Sequence, residues 1–152
     1  MGAAASRRIT GVRVLFVCTG NSCRSQMAEA LARHLGCGQL EALSAGTQPD
    51  RIDPLTLEVL REEGVCIEGL RPKSLEEVGA RQYDWVITLC GRAQQSCPAL
   101  SGRLGRLHWP IEDPAQARGS GEERRRAFQS ARNAIRSRLE HWLNTGGLDR
   151  NR

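Results

Sequence analysis

The stretch VRVLFVCTGNSCRS, residues 12–25, decides how this chain folds. Its first six residues form an apolar run interrupted only by Arg13, which is typical of a strand buried on both faces of a parallel sheet. The run leads into Cys18, five further residues and Arg24, where a helical pattern begins. A turn from a strand into a helix directs backbone N–H groups inward, and the helix N-terminus adds partial positive charge. The stretch therefore predicts a loop that binds a tetrahedral oxyanion.

Cys18 and Arg24 are the reactive side chains predicted in this loop. The guanidinium of Arg24 can bind an oxyanion through two parallel hydrogen bonds. The same positive field favours thiolate over thiol, so we expect Cys18 to be a nucleophile with its pKa lowered into the range of roughly 3.5–7.5. The alternative is an ordinary buried cysteine at a strand end. The substrate-binding groups predicted around the anion are those of the loop: Thr19, Gly20, Asn21, Ser22, Cys23 and Arg24.

The rest of the chain alternates apolar strands with amphipathic helices. Strands are predicted at 12–17, 40–45, 84–89 and 106–109, a short apolar strand at 65–68, and helices at 24–35, 54–63, 74–78 and 122–143. This alternation favours βαβ units with right-handed crossovers. We therefore predict an α/β fold, a single-domain four-stranded parallel sheet flanked by helices. A disordered leader at 1–10, one catalytic domain at 11–145 and a flexible tail at 146–152 complete the predicted organisation.

Length, net charge and residue composition limit the kinds of protein that this chain can be. The 152 residues suit one domain, and the net charge of +5 comes from 22 basic and 17 acidic residues. We expect no nucleic-acid partner, because no aromatic residues interleave with the arginines as a stacking platform. We expect no membrane span, because no apolar run reaches about 18 residues, and no secretory signal. Six cysteines then indicate redox or catalytic thiols in a cytoplasmic chain, which we expect to be a monomer.

Two further thiols, Cys90 and Cys97, belong to the predicted site. Ligands of parallel sheets bind beyond the carboxyl ends of the strands, and Cys90 follows the strand at 84–89 as Cys18 follows the first. If those strands are neighbours, about 4.8 Å apart, both thiols lie on one rim. The residues between Cys90 and Cys97 have helical propensity, and seven residues of helix rise about 10.5 Å. A disulfide allows only about 4.4–6.8 Å between Cα atoms, so a Cys90–Cys97 bond requires this segment to unwind.

Two other interpretations of these thiols stay open. Cys90 and Cys97 can be two packed cysteines near a strand end. A zinc site made of Cys18, Cys23, Cys90 and Cys97 is a second alternative, although the spacings are not those of a typical zinc knuckle.

Three motifs together closely resemble the thioredoxin-coupled arsenate reductases, which are relatives of the low-molecular-weight protein tyrosine phosphatases. They are VCTGNSCRSQMAEA at 17–30, TLCG with CP at 88–91 and 97–98, and HWPIEDPA at 108–115. The likeness runs from about residue 12 to residue 143. The phosphatases share the first loop and the Asp-Pro pair but typically lack the pair formed here by Cys90 and Cys97.

The resemblance implies a reaction with arsenate as the substrate. Cys18 attacks the arsenic and Asp113 acts as the general acid. Arg24 and the loop amides stabilise the oxyanion, and Ser25 donates a hydrogen bond to the thiolate. The structural alternatives are that Asp113 only caps a turn and that Ser25 only caps the helix.

The resemblance also implies how the thiols are used in order. Cys90 attacks the sulfur of Cys18, arsenite leaves, and a Cys18–Cys90 disulfide remains. Cys97 then exchanges onto Cys90, and thioredoxin reduces the Cys90–Cys97 disulfide. A low-molecular-weight tyrosine phosphatase and a non-catalytic redox sensor or arsenic-binding protein are the competing functions.

Potassium is the one ion that the resemblance raises. Asn21, Glu29 and Ser44 match positions associated with a structural potassium site in some members of the family. Lys73, the only lysine of the chain, stands where some members carry a hydroxyl residue. An ammonium group there can replace the ion, so we expect no metal and no required cofactor beyond the reductant thioredoxin.

The remaining cysteines and the histidine–tryptophan pair receive structural assignments. Cys23 is expected to be a packed thiol, with a protective disulfide to Cys18 as the alternative. Cys37 and Cys66 are expected to be bystanders. His108 and Trp109 are expected to support the loop that carries the general acid.

Overall fold

Four strands and five helices form within residues 11–79, 82–96 and 100–149, the part of the chain that the computed structural model describes. In chain order they are β1 Val12–Cys18, α1 Arg24–Gly36, β2 Leu40–Gly46, α2 Pro54–Glu62, α3 Leu75–Val78, β3 Trp85–Thr88, α4 Gly91–Ser96, β4 Gly105–His108 and α5 Gly121–Asn144. A 3₁₀ turn, Pro114–Gln116, lies between β4 and α5.

The strands form one parallel sheet in the order β2-β1-β3-β4, which confirms the predicted α/β fold. β1 is central, and its residues Val14–Val17 are fully buried, as its continuous apolar sequence requires. Val17 is paired with Thr88 of β3, and the N–H of Leu89 donates to the carbonyl of Val17 at 2.9 Å. This register brings the chain after β1 and the chain after β3 to the same edge of the sheet.

The long helix α5 packs against α1 and α2 through the apolar stripe predicted from its sequence. Phe128, Ile135 and Leu139 in that stripe are fully buried. Ser120 and Glu123 form a capping box at the start of α5, which fixes its first residue. Asp53 caps α2 as predicted, because its Oδ1 accepts from the N–H of Leu55 at 3.0 Å.

Some predicted boundaries differ from the structure. Residues 65–68 are not a strand, because they have no ladder partner among the described residues. The apolar signal there reflects the burial of Val65 and the packing of the half-buried Ile67 against the core. β3 and β4 are also shorter or shifted by one residue relative to 84–89 and 106–109. In the predicted tail, residues 146–149 pack against the end of α5, where the N–H of Gly147 donates to the carbonyl of Trp142 at 2.8 Å.

Three predictions fall outside the described residues: the leader at 1–10, the end of the tail at 150–152, and the position of Cys97.

Candidate active site

The loop between β1 and α1 is held from its outer side by backbone hydrogen bonds. The N–H groups of Thr47, Gln48, Asp50 and Asp53 donate to the carbonyls of Cys18, Thr19, Gly20 and Ser22 at 2.8–3.3 Å. With these carbonyls occupied outside, N–H groups of the loop are free to turn inward. Two of them, from Asn21 and Ser25, donate to the sulfur of Cys18.

Asn21 and Gly46 make this tight loop possible. Asn21 has φ 51°, in the left-handed region that asparagine tolerates better than most residues. Gly46, at the end of β2, lies so close to the loop that an added Cβ would be 2.6 Å from the carbonyl oxygen of Thr19. A side chain at position 46 would therefore displace the loop.

Cys18 lies at the base of this loop and is only 3% exposed. Its Sγ is 2.8 Å from Ser25 Oγ, and Asn21 Nδ2 donates to that same oxygen at 2.7 Å. Because the oxygen of Ser25 accepts from Asn21, its own proton is free to point at the sulfur. Ser25 therefore does more than support the helix start, and the predicted contact between Ser25 and Cys18 is present.

The predicted lowering of the Cys18 pKa is wrong. Burial raises the pKa of the Cys18 thiol above its ordinary value, and this effect outweighs the hydrogen bonds from Ser25 and the charge of Arg24, which lower it. The prediction considered the positive field of the loop but not the hydration that the sulfur loses when it is buried. That loss disfavours the thiolate and raises the pKa. The resting group is a thiol that has several donors ready to stabilise its ionised form.

Arg24 and Asp113 face each other across the cavity. Arg24 Nη1 donates to the carbonyl of Ile111 at 3.0 Å, and its Nη2 is 3.5 Å from Asp113 Oδ2. Asp113 Oδ1 meanwhile accepts from the N–H of Ala115 at 3.0 Å, so this carboxylate also caps a turn. The capping interpretation is thus correct for one oxygen, and the other oxygen faces the site.

Cys90 lies on the same rim as Cys18, as the strand order predicted. Its Sγ is 3.3 Å from Thr19 Oγ1 and accepts from the N–H of Ala93 at 3.4 Å. Both thiols line one open cavity of about 380 Å³. Its lining residues are Cys18, Thr19, Gly20, Ser22, Cys23, Arg24, Cys90, Arg92, Asp113, Ala115 and Gln116.

Cys23 is buried beside this cavity. Burial, together with the nearby charges of Asp53 and Asp113, raises the pKa of Cys23 to about 11. The group is therefore a protonated thiol at neutral pH, which supports the interpretation as a packed residue. The described ranges contain no cluster of three or more His, Cys, Asp or Glu that suits a metal ion, and Cys97, one ligand of the zinc alternative, lies outside them.

A buried polar network supports the loop from behind. Lys73 Nζ is 3.1 Å from Glu29 Oε1, and the two side chains are 5% and 1% exposed. Ser44 Oγ donates to the same carboxylate oxygen at 2.6 Å and accepts from Asn21 Nδ2 at 2.9 Å. The network therefore runs from Lys73 to the residues that contact Cys18.

His108 and Trp109 occupy structural positions, as expected. His108 Nδ1 is 2.8 Å from Thr88 Oγ1, and neither side chain lines the cavity. The ring of Trp109 packs against Phe16 and Trp142 with centroids 6.2 and 6.1 Å apart.

Sequence reasoning missed three residues of this region. Gln26 is fully buried and donates to Asn21 Oδ1 at 2.9 Å, while Arg92 and Gln116 line the cavity. Arg92 is two residues after Cys90 and Gln116 is three residues after Asp113, so their closeness in sequence to predicted site residues was the available signal. Gln26 had none, because its place in the helix looks like an ordinary polar position.

Comparisons with known proteins agree with this arrangement. The profile of the family described as "Low molecular weight phosphotyrosine protein phosphatase" matches residues 13–152. An arsenate reductase of Shouchella clausii is 37% identical over 133 residues, which cover 88% of this chain and 96% of that protein. No helix in the described part of the chain is long and apolar enough to cross a membrane.

Two solved structures are similar in sequence and fold. One, described as an arsenate reductase in the phosphate binding state, is 31% identical with a TM-score of 0.71, and covers 88% of this chain and 97% of its own. The other is a thioredoxin-dependent arsenate reductase of Corynebacterium glutamicum. It is 29% identical with a TM-score of 0.71, and the match covers 95% of this chain and 71% of that chain.

Proposed function

This chain belongs to the low molecular weight phosphotyrosine protein phosphatase family and is one of its arsenate reductases, and we propose that it reduces arsenate through a relay of three thiols. The three thiols are those of Cys18, Cys90 and Cys97. The observation that carries this proposal is the cavity that Cys18 and Cys90 share. Hydrolysis of a phosphate ester needs only the first of these thiols. The second thiol on the rim therefore favours reduction over hydrolysis.

The first step joins sulfur to arsenic. The thiolate of Cys18 attacks the arsenic, an As–O bond breaks, and the departing hydroxyl group takes a proton from Asp113 and leaves as water. Arg24 and the inward N–H groups of the loop hold the remaining oxygens. Since burial keeps Cys18 largely protonated, Ser25 and Arg24 are needed to stabilise the thiolate that reacts.

The second step transfers two electrons. Cys90 gives up its proton and attacks the sulfur of Cys18, and the S–As bonding pair passes to arsenic, which becomes arsenite. The two electrons come from the sulfurs of Cys18 and Cys90, which are oxidised to a disulfide. Cys97 then attacks Cys90 and frees Cys18, and the dithiol of thioredoxin reduces the Cys90–Cys97 disulfide. The contact between Thr19 Oγ1 and Cys90 Sγ supports the position of Cys90 for its attack.

Oxidation of NADPH in the presence of arsenate, thioredoxin and thioredoxin reductase tests the relay. We expect steady turnover by the wild type and about one turnover by Cys97→Ser, which stops as the Cys18–Cys90 disulfide. Cys90→Ser should lose reduction but retain any hydrolysis of an aryl phosphate, and Cys18→Ser should lose both. Cys66→Ser, which changes an exposed thiol outside the cavity, is the matched control and should turn over normally.

Two results would reject the relay. Continued turnover by all three cysteine variants with thioredoxin would mean that the thiols do not act in this order. Absence of reduction by the wild type, with clear hydrolysis of an aryl phosphate, would move the protein to the phosphatases.

We also propose that the enzyme requires no potassium ion. Lys73 Nζ already contacts Glu29 Oε1, which Ser44 also approaches, so an ammonium group supplies the positive charge in this network. These contacts support the proposal that no additional cation is needed here. Exchange of potassium for tetramethylammonium should leave activity and Tm unchanged in the wild type, whereas Lys73→Ala should respond to potassium. A clear loss of wild-type activity without potassium would contradict this.

We further propose that the protein acts as a monomer in the cytoplasm, where thioredoxin keeps thiols reduced. Size-exclusion chromatography with light scattering tests the first part, and a dimer mass at assay concentrations would contradict it.

A further inference from the structure

We propose that Arg92 is a second binding residue for the oxyanion, and that it ties helix α4 to the occupied cavity. The inference rests on the proposed function, because it takes arsenate as the anion in this site. It concerns a residue to which the relay itself assigns no role.

The balance of charge in the cavity is the first observation. The charged side chains among its described lining residues are Arg24, Arg92 and Asp113. Arg24 and Asp113 are 3.5 Å apart and largely offset each other. Arg92 is therefore the charged lining residue that no described carboxylate offsets, and it adds to the attraction of the cavity for an anion.

The freedom of Arg92 is the second observation. Its side chain is exposed, and within the described part of the chain it has no hydrogen-bond or ion-pair partner. Arg24 by contrast already donates to Ile111. Arg106 likewise donates to the carbonyl of Gln94 in α4 at 2.7 Å. Arg92 is thus the cavity arginine with its whole donor fork available for an oxyanion.

The position of Arg92 gives this contact a consequence for the relay. Arg92 lies in the first turn of α4, two residues after Cys90, in the segment that must unwind before Cys90 can bond to Cys97. Arsenate is an anion near neutral pH, whereas arsenious acid is uncharged. The substrate therefore holds α4 through Arg92, and the departure of the neutral product releases the segment at the step where it has to move.

Protection of Cys18 from iodoacetamide by inorganic phosphate tests the binding contact without any reduction. Thiols do not reduce phosphate, so it occupies the site as an unreactive analogue, and peptide mass spectrometry separates Cys18 from the other cysteines. We expect Arg92→Gln to raise the half-protecting phosphate concentration about fivefold, which corresponds to ~1 kcal/mol. Arg92→Lys should retain part of the effect. Arg138→Gln, the same change at an exposed position of α5, is the control. Equal protection in Arg92→Gln and Arg138→Gln would overturn the proposal.

One further measurement, read together with the phosphate result, separates this inference from the proposed function. In the coupled assay, Arg92→Gln should raise the KM for arsenate by a similar factor with little change in kcat. If the wild type reduces arsenate but Arg92→Gln binds phosphate normally, the inference fails and the relay stands. If the phosphate result holds but no arsenate is reduced, the anion site stands and the proposed function fails.

Hydrogen exchange of residues 91–96 tests the link to α4. Phosphate should slow exchange in the wild type and in Arg138→Gln but not in Arg92→Gln. Equal slowing in all three proteins would overturn the link.

Discussion

At the scale of single residues, burial and hydrogen bonding act in opposite directions on the sulfur of Cys18. Burial raises the pKa of Cys18, and the hydrogen bond from Ser25 is the largest effect that lowers it. Ser25→Ala should therefore raise the pKa of Cys18 further and reduce the thiolate fraction at neutral pH. A hydrogen bond to a charged group contributes about 1.5 kcal/mol or more, so we expect alkylation of Cys18 at pH 7 to slow roughly tenfold.

The pH dependence of iodoacetamide alkylation measures this directly. The rate should rise with pH in both proteins, with the midpoint at higher pH in Ser25→Ala. Ser101→Ala, a change at an exposed serine outside the cavity, is the control. An unchanged midpoint in Ser25→Ala would show that the 2.8 Å contact does not stabilise the thiolate.

Asp113 has two contacts whose roles one substitution can separate. Asp113→Asn keeps an oxygen that can accept from the N–H of Ala115 but removes the ionisable carboxyl group that faces Arg24 and acts as the proton donor in the proposed first step. We expect kcat for arsenate reduction to fall about 10²-fold or more, while phosphate protects Cys18 at least as well as in the wild type. A parallel loss of binding and turnover would mean that Asp113 acts only by capping the turn.

Most of the site was predictable because its residues follow strands. Cys18, Arg24, Ser25 and Cys90 come together as expected, since parallel strands end at one edge of the sheet. The pKa of Cys18 was not predictable, because its direction depends on how deeply one atom is buried. The cavity position of Arg92 was also not predictable, because it depends on which way a six-residue helix faces.

At the scale of elements, the end of β2 shapes the oxyanion loop through Gly46. Gly46→Ala places a methyl group 2.6 Å from the carbonyl oxygen of Thr19, so either the strand or the loop must move. We expect a loss of roughly 1–3 kcal/mol in the free energy of unfolding, measured with urea, and weaker protection of Cys18 by phosphate.

Gly121→Ala is the matched control for that change. Gly121 begins α5, and an added Cβ there meets no atom within 4 Å. This variant should be as stable as the wild type or slightly more stable. Equal stability of Gly46→Ala and Gly121→Ala would show that the loop adapts to a side chain without cost.

The helices and strands were predictable from the spacing of the apolar residues along the sequence. The buried strand β1 and the amphipathic helix α5 were predicted to within a residue or so, because a continuous apolar run and a 3.6-residue stripe leave few alternatives. Residues 65–68 were misassigned because a run of four residues is too short to distinguish a strand from a buried turn.

At the scale of the whole molecule, ion pairs join α2 to α5. Arg125 contacts Glu58 and Glu62, each at 2.7 Å, and Arg132 contacts Glu62 at 3.0 Å. Many arginines of this basic chain are therefore committed to holding two helices together. The excess positive charge does not by itself indicate a nucleic-acid partner.

Glu62 makes the stability of this contact depend on pH. Hydrogen bonds from Gln129, Arg125 and Arg132 lower the pKa of Glu62 from 4.5 to about 2. A group whose pKa is lower in the folded state stabilises the fold above its unfolded value, and this stabilisation is lost as the pH falls to the folded value. Glu62→Gln should therefore be less stable than the wild type at pH 7, by a difference that shrinks below about pH 4.5 and is mostly lost at pH 2.

Urea unfolding across pH 2–8 measures that difference, with Glu68→Gln as the control because Glu68 is exposed and forms no ion pair in the described structure. Glu68→Gln should follow the wild type at every pH. Added salt should reduce the effect of Glu62→Gln, since its ion pairs are partly exposed. A difference at pH 2 as large as the one at pH 7 would mean that Glu62 stabilises the helices through packing alone, because at pH 2 its carboxyl is protonated in the unfolded state and about half protonated in the folded state.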